Sequence, residues 1–328
     1  MRLSELEQQS SFALLGPGFG QGKWTLLRGL SRCPSGSLLV LPFEARGDQL
    51  ERFAAVESSQ PEVAFDIAPA SLSPSLDERG HADAVNTVRE AIAAGDVYQV
   101  NLSLRASFRC DRAASLFARL CRRGIPRFAA WVRLPDGREW VSASPELFVE
   151  VEGRTVRTEP MKGTAAPGQA EALRESEKDR AELAMITDLL RNDLAQVCVP
   201  KSVRVVNARR LIEVPYAVQA VSDIEGRLPE GVGLPDVLAM LHPGGSVTGA
   251  PKRAAVALIE ALEATPRGFY CGALGYLGDA LQVASLLIRT ASRGSASAPW
   301  VYGVGGGIVW DSDAKLELEE VRLKLGAL

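Results

Sequence analysis

From His81 to the C-terminus, single helical stretches are separated by groups of two or three strands, and that order constrains the fold more than any other feature of the chain. In HADAVNTVREAIAAGD the apolar residues Val85, Val88 and Ile92 recur at helical spacing, and the pattern stops at Gly95. VYQVNLSLR then alternates, with Tyr98, Val100, Leu102 and Leu104 on one face and Gln99, Asn101 and Ser103 on the other. Strands follow at FAAWVRL, EWVSASPELFVEVEG and RTVRTEP, then a helix from about Ser176 to Val197, strand SVRVVNARRLIEV and helix LPDVLAML. A helix from Pro251 to Glu263 precedes the last strands, GALGYLG, LQVASLLIRTA and WVYGVGGGIVW, and DAKLELEEVRLKL forms a terminal helix. Regular strand–helix–strand alternation is missing. The pattern therefore predicts an α+β fold with antiparallel or mixed sheets covered by helices.

The stretch before His81 has a different character. FALLG and SLLVLPF read as strands with irregular connections, and the Pro- and Ser-rich APASLSPSLDERG reads as a linker. The expected organisation is a reduced, strand-rich segment over residues 1–80 packed on a core over residues 81–328. GPGFGQGKW imitates a phosphate loop, but Pro17 stands where the first glycine is needed and Trp24 follows Lys23 in place of Ser or Thr. That reading fails.

With 37 basic against 40 acidic residues and a formal net charge of −3, the 328-residue chain has no field for non-specific nucleic-acid binding. Any anion must be gripped locally. Cys33, Cys110, Cys121, Cys198 and Cys271 are scattered with no C-x-x-C pair, which excludes a disulfide framework or zinc site and points to a reducing compartment. No basic-then-apolar leader and no bilayer-length apolar run is present, so a cytoplasmic location is expected. Lys occurs only at Lys23, Lys162, Lys178, Lys201, Lys252, Lys315 and Lys324, the other basic residues being Arg. In such a chain a Lys marks a place where Arg cannot serve, since only Lys readily loses its proton and attacks; Lys162, Lys252 and Lys324 stand out.

Two helices carry acids beside apolar positions. Glu182 lines up with Met185, Ile186, Leu189 and Leu190 at the head of a stripe, with Asp179 one turn earlier. A carboxylate aimed at a core is costly unless paired or metal-bound. In the last helix Glu317, Glu320 and Lys324 share a face beside Leu318, Val321 and Leu325. Two such acidic pairs suit Mg²⁺, with substrate oxygens completing its octahedron, but solvated ion pairs such as Glu320 with Lys324 give the same pattern. HPGGSVTGAPK before a helix starting at Pro251, and GVGGG (Gly303 to Gly307) before the last helix, offer either amides for an anion or turns that need glycine. Glu146 in SASPELF and Lys162 in PMKGT flank the VEGRTVRT hairpin, as an acid–nucleophile couple or as a surface ion pair. His81 and His242 have no ligand spacing.

GDVYQVNLS, SASPELF, PMKGT, EKDRAELAMITDLLRNDL, PGGSVTGAPK, RGFYCGALGYLG, LLIRTA and GGGIVWDSDAKLELEEVRLK stand in the order they take in the chorismate-utilising enzymes. From about His81 to Leu328 the chain resembles that family. The resemblance implies a duplicated α+β chorismate-binding-enzyme fold: two large packed β-sheets, helices on the outside and an active-site cleft between the halves. It implies Mg²⁺ held by Glu182 and Glu320, with Asp179 and Glu317 in support; Asp179 stands where Glu is usual and reaches less far. Lys162 is implied as nucleophile and Glu146 as acid. Arg289, Tyr270, Lys324, Gly305 and Gly307 would meet the substrate carboxylates, and Gly163, Thr164 and Thr248 would line the same pocket.

Two positions narrow the resemblance. Gln99 occupies the place where water-adding members carry a Lys base, which favours ammonia as the attacking group. Lys162, where anthranilate-forming members carry Ala, and the Gly-Gly-Ser of GGSVTGAPK make the aminodeoxychorismate-forming members the nearest likeness. Ammonia is then expected from a separate glutamine amidotransferase subunit, since none is recognisable in the chain. The rival readings are an anthranilate-forming enzyme and a non-catalytic chorismate- or partner-binding subunit. The chain departs from the family in its short N-terminal part and at Tyr216, where the family usually shows a His tied to pyruvate elimination.

Overall fold

Alternate residues of Phe12 to Leu15 belong to different apolar layers. Phe12 and Leu14 pack with Trp131 and Trp300, whereas Ala13 and Leu15 pack with Phe128, Trp140 and Leu38. Only a sheet covered on both faces allows this, and such strands read as unbroken apolar runs. The computed structural model, which describes residues 1–20, 22–214, 217–279, 281–326 and 328, contains two ten-stranded antiparallel sheets. Their facing sides share one apolar layer, in which Phe128, Val132 and Trp140 of one sheet meet Val40, Leu274 and Val283 of the other. Helices cover the outer sides, which is the α+β arrangement expected.

The first sheet runs Gly249–Ala250, Gln99–Phe108, Trp300–Ile308, Thr290–Arg293, Glu139–Ser144, Phe128–Arg133, Phe12–Gly20, Lys23–Arg28 and Glu57–Ser59, with Ser75–Leu76 also paired to Gln99–Phe108. The second runs Met161–Ala165, Ala217–Arg227, Thr155–Thr158, Leu147–Glu152, Gln282–Leu286, Ala273–Leu277, Leu38–Leu41, Glu51–Ala54 and Ser31–Arg32, with Arg204–Val214 also on Ala217–Arg227. Residues 1–80 thus supply strands to both sheets. Within GPGFGQGKW, Gly16 to Gly20 end strand Phe12–Gly20 and Lys23 and Trp24 open Lys23–Arg28, which pairs with it antiparallel.

The chain steps between sheets at two places that matter for the site. Glu139–Ser144 lies in the first sheet and Leu147–Glu152 in the second; Gln282–Leu286 lies in the second and Thr290–Arg293 in the first. Each step splits what reads in the sequence as one continuous strand run. Glu146 stands in one step and Arg289, with φ of 50°, in the other.

Helix ends follow their capping residues. His81–Ala94 stops at Gly95 in the left-handed region, φ 83°. Glu177–Ala195 starts after Ser176, whose side chain accepts from the Asp179 amide, and Ala314–Leu325 starts after Asp313, which accepts from Lys315 and Leu316. Pro251 is not in the first helical turn; it is extended (ψ 139°) and precedes Lys252–Leu262. The GVGGG run is a correction too. It lies inside strand Trp300–Ile308, paired with Asn101 to Arg105, and is not an anion nest before the helix. Glycine is needed there because other groups lie flat on the strand: a methyl on Gly303 would collide with the Tyr270 ring. Tyr98, placed by alternation on an apolar face, precedes its strand and is 66% exposed. Tyr216 lies outside the described residues. Among the described residues, no helix is long and apolar enough to cross a membrane.

Candidate active site

Lys162 lies in strand Met161–Ala165, at the edge of the second sheet and beneath helix Glu177–Ala195. Gly163, φ 81°, follows it; its missing side chain leaves room for Asp179, whose Oδ1 would stand 2.9 Å from a methyl there. The buried stripe of the helix is Leu183, Ile186, Leu190 and Leu194, with Thr187 and Asp193. Glu182 therefore does not head the stripe but stands at its margin, half-buried, near Lys162. Lys178 lies 3.9 Å from it.

Burial pushes the Lys162 amine below the usual lysine range, while Glu182 and Glu146 pull it back up and Lys324 pushes it down. Four charged groups from three separate segments thus act on one amine: Glu182, Glu146, and Lys324 and Glu320 of the last helix. This convergence makes Lys162 the centre of the site. Glu146 is buried at 5% exposure in the step between sheets. Burial raises its pKa, and the hydrogen bond from Ser246 and the charge of Lys162 lower it again. Lys162 and Glu146 each oppose the effect of burial on the other, and with Glu146 buried the couple is not a surface ion pair.

The last helix contributes a second acidic pair over the glycine strand. A methyl on Gly306 would sit 3.3 Å from Glu317 Oε2 and 3.8 Å from Glu320 Oε1, so both carboxylates lie directly over this glycine. Lys324 donates to Gly305 O at 2.9 Å and contacts Glu320 Oε1 at 2.6 Å. Burial works against the Glu320 charge, but Lys324, Lys178 and Lys162 outweigh it and hold the carboxyl below its usual range. Glu317 is raised by burial and by Glu320, although Ser312 donates to its Oε1 at 2.6 Å. Among the described residues, no three His, Cys, Asp or Glu side chains converge as a ready-made metal cage.

The remaining expected residues vary in role. Gln99 is 1% exposed and lies against Gly307, where a methyl would meet its Nε2 at 2.4 Å; its Oε1 is buried without a hydrogen-bond partner. Thr248 is fully buried and its hydroxyl donates to Gly244 O at 2.9 Å, a bond that shapes the loop. Tyr270 lies on Gly303, with the Arg105 guanidinium 5.3 Å from its ring. Thr164 is exposed and lines a groove of about 480 Å³ with Ala165, Ala217, Leu323 and Arg123. Arg289 is half-buried beside Tyr302.

Ser246, Ser312 and Lys178 were not singled out by sequence reasoning. Serine at helix-start and turn positions has ordinary local uses, so nothing in its spacing distinguishes a partner for a distant carboxylate. Lys252, which scarcity did single out, forms a buried pair with Asp193 at 2.6 Å and donates to Leu241 O. It ties the PGGSVTG loop to the acid-bearing helix.

The glycine strand under two carboxylates, the amine under helix Glu177–Ala195 and the buried acid in the sheet step all lie in the part of the chain that one known family matches. That family, the chorismate binding enzymes, matches residues 39–328. The chain belongs to it. Among relatives of this chorismate binding enzyme, aminodeoxychorismate synthase component 1 of Salmonella typhimurium is 41% identical over 245 residues, 71% of this chain and 53% of that one. Anthranilate synthase component 1 of Streptomyces coelicolor is 38% identical over 263 residues, 77% of this chain and 51% of that one. This chorismate binding enzyme therefore spans about half the length of those curated relatives. In fold it resembles the menaquinone-specific isochorismate synthase of Escherichia coli, with a TM-score of 0.80 at 18% identity over 99% of this chain and 89% of that one. Anthranilate synthase component I of Streptococcus pneumoniae gives a TM-score of 0.70 at 30% identity, covering 80% of this chain and 60% of that one.

Proposed function

We propose that the chain is the first component of an aminodeoxychorismate synthase, replacing the C4 hydroxyl of chorismate with an amino group. The observation that carries this reading is the Lys162–Glu146 couple: a buried amine held below its usual pKa beside a buried carboxyl held above its own. Neutral Lys162 attacks C2, the ring double bonds shift and the C4–oxygen bond breaks. Glu146 gives its proton to the departing oxygen, which leaves as water. Ammonia then attacks C4, the double bonds shift back and the C2–nitrogen bond to Lys162 breaks. The proton shed by the new C4 ammonium returns to Glu146, and both residues are restored. A nucleophile on the protein is useful because two shifted displacements leave the nitrogen at C4.

Arg289, Tyr270 and Lys324 bind and orient the substrate carboxylates, and Gln99, with an amide that cannot deprotonate water, favours ammonia over water as the entering group. The oxygen-only acids fit Mg²⁺, which takes one or two protein carboxylates and keeps its other positions for substrate and water. Glu182 and Glu320 would hold it, with Asp179 and Glu317 in support. When bound it would supply positive charge opposite a substrate carboxylate. The relatives' name, component 1, implies a second component, and a glutamine amidotransferase that releases ammonia suits this chemistry.

The similarity to anthranilate synthase component 1 supports a second reading, and product identity separates the two. The purified chain is mixed with chorismate, Mg²⁺ and ammonium, an aminodeoxychorismate lyase is added, and products are separated by chromatography. p-Aminobenzoate is the expected product. Anthranilate would overturn the assignment of Lys162, and no product with or without a glutaminase would favour a binding subunit.

A further inference from the structure

The Ser246 hydroxyl donates to Glu146 Oε1 at 2.6 Å, with Ser246 at 8% and Glu146 at 5% exposure. No hydrogen bond reaches Oε2 among the described residues. Ser246 owes its place to Gly244 and Gly245. A methyl on Gly244 would stand 2.9 Å from Leu286, and one on Gly245 2.7 Å from Leu189. The loop therefore presses between the second sheet and the acid-bearing helix, and a side chain at either glycine would have to displace Leu286 or Leu189. The Thr248 hydroxyl closes the turn onto Gly244 O, and Lys252 anchors the far end at Asp193. On the other side, the Glu146 backbone is fixed by its amide, which donates to Ser144 Oγ at 3.2 Å, and by its carbonyl, which accepts from Leu286 at 3.3 Å.

We propose that Ser246 is a positioning residue for the acid: its hydroxyl occupies Glu146 Oε1, so that the transferable proton sits on Oε2 and is presented to the departing oxygen. This rests on the reading of Glu146 as the proton donor. When the Oε2–H bond breaks and the proton moves to the leaving hydroxyl, the electron pair stays on the carboxylate. The Ser246 hydrogen bond then becomes charge-assisted and strengthens as the negative charge forms. It costs little to form because the loop is already in place. Lys162 is the charged group that faces Glu146, and Glu182, Lys324 and Glu320 act on Lys162 in turn.

A hydrogen bond to the charged form favours ionisation, so its loss makes Glu146 a weaker acid. Ser246→Ala is expected to lower kcat about tenfold with KM nearly unchanged, the size of one hydrogen bond to a charged group. The basic limb of its pH–rate profile should move to higher pH. Ser246→Thr, which keeps the hydroxyl, should restore both. An infrared titration of the Glu146 carboxyl, identified by its loss in Glu146→Gln, reads the same shift without turnover and should move upward in Ser246→Ala. An unmoved basic limb and infrared titration in Ser246→Ala, or failure of Ser246→Thr to restore them, would overturn the proposal. Wild-type turnover is the separate control. If the parent chain aminates no chorismate, the reading of Glu146 fails first and this role goes with it. If the parent is active and only Ser246→Ala behaves like wild type, Ser246 alone is excluded.

Discussion

Glu146 and Arg289 occupy neighbouring steps between the two sheets, and backbone hydrogen bonds tie the steps together: Leu286 donates to Glu146 O and Ala143 to Arg289 O. An acid and a cation are thereby fixed on the rigid frame that joins the sheets, not on a surface loop. Ser142, fully buried, adds a hydrogen bond to Ile288 O within the same frame.

The geometry at Arg289 separates backbone strain from substrate binding. Its φ of 50° lies in the left-handed region, where a residue with a Cβ is about 1 kcal/mol worse off than glycine. Arg289→Gly should therefore unfold about 1 kcal/mol later than Arg289→Ala, while both raise KM for chorismate about tenfold or more by losing the guanidinium. Thermal melts and steady-state kinetics on the two variants check this. Equal stabilities would remove the strain argument, and an unchanged KM would remove Arg289 from the substrate.

For Lys162 the expectation is a pH-dependent stability. Burial holds its folded pKa below the usual 10.5, so the unfolded chain binds more protons between the folded value and 10.5. Stability then rises with pH through that window, and below it the buried ammonium is a cost. Lys162→Met removes this titration. The variant should be more stable than the parent at the acid end of the window and lose that advantage as pH climbs toward 10.5. Urea unfolding at a series of pH values reads the difference directly; a constant difference across the range would contradict it.

Metal binding offers a test in which the two helices act together. Glu182→Gln and Glu320→Gln should each weaken Mg²⁺ binding at least about tenfold, measured by titration calorimetry with chorismate present. Asp179→Asn should do less, because its carboxyl packs against Gly163. Glu320→Gln also releases Lys324 from its 2.6 Å partner, so its chorismate affinity should change as well. Mg²⁺ titrations unaltered in both Gln variants would remove these acids from the metal site.

Much of this was legible because local chemistry marks it. Ser176, Asp313 and Gly95 end their helices through hydrogen bonds made within a few residues, which any sequence exposes. That the acids share helix faces was legible because helical spacing is also local. What sequence could not reveal is set by distant contacts. EWVSASPELFVEVEG keeps strand-like composition on both sides of the step and is buried from Glu139 to Val149, so burial does not mark the step at Glu146. The glycines of GVGGG have no local conformational signal, since the groups over them, Tyr270 and the acids of the last helix, come from elsewhere in the chain. The stripe in Glu177–Ala195 is rotated by about one residue from its expected line because Leu183 packs on Val218 and Ala220, leaving Glu182 at the margin.

The Asp193–Lys252 pair is the last element whose role can be measured apart from the chemistry. Asp193 is 5% exposed, and burial raises its pKa against the pull of Lys252. Removing one partner leaves the other without its counter-charge, whereas removing both leaves neither charge. Asp193→Ala should cost about 3 kcal/mol of stability, and the double variant Asp193→Ala with Lys252→Met should recover most of it. Because the pair anchors the loop that carries Ser246, the double variant should remain folded yet turn over chorismate more slowly. Its pH–rate profile should shift in the direction expected for Ser246→Ala, since the loop no longer holds the hydroxyl against Glu146. Denaturant melts and pH–rate profiles on the single and double variants decide it. A stable double variant with parental kinetics would confine the pair to structural support and detach it from the acid.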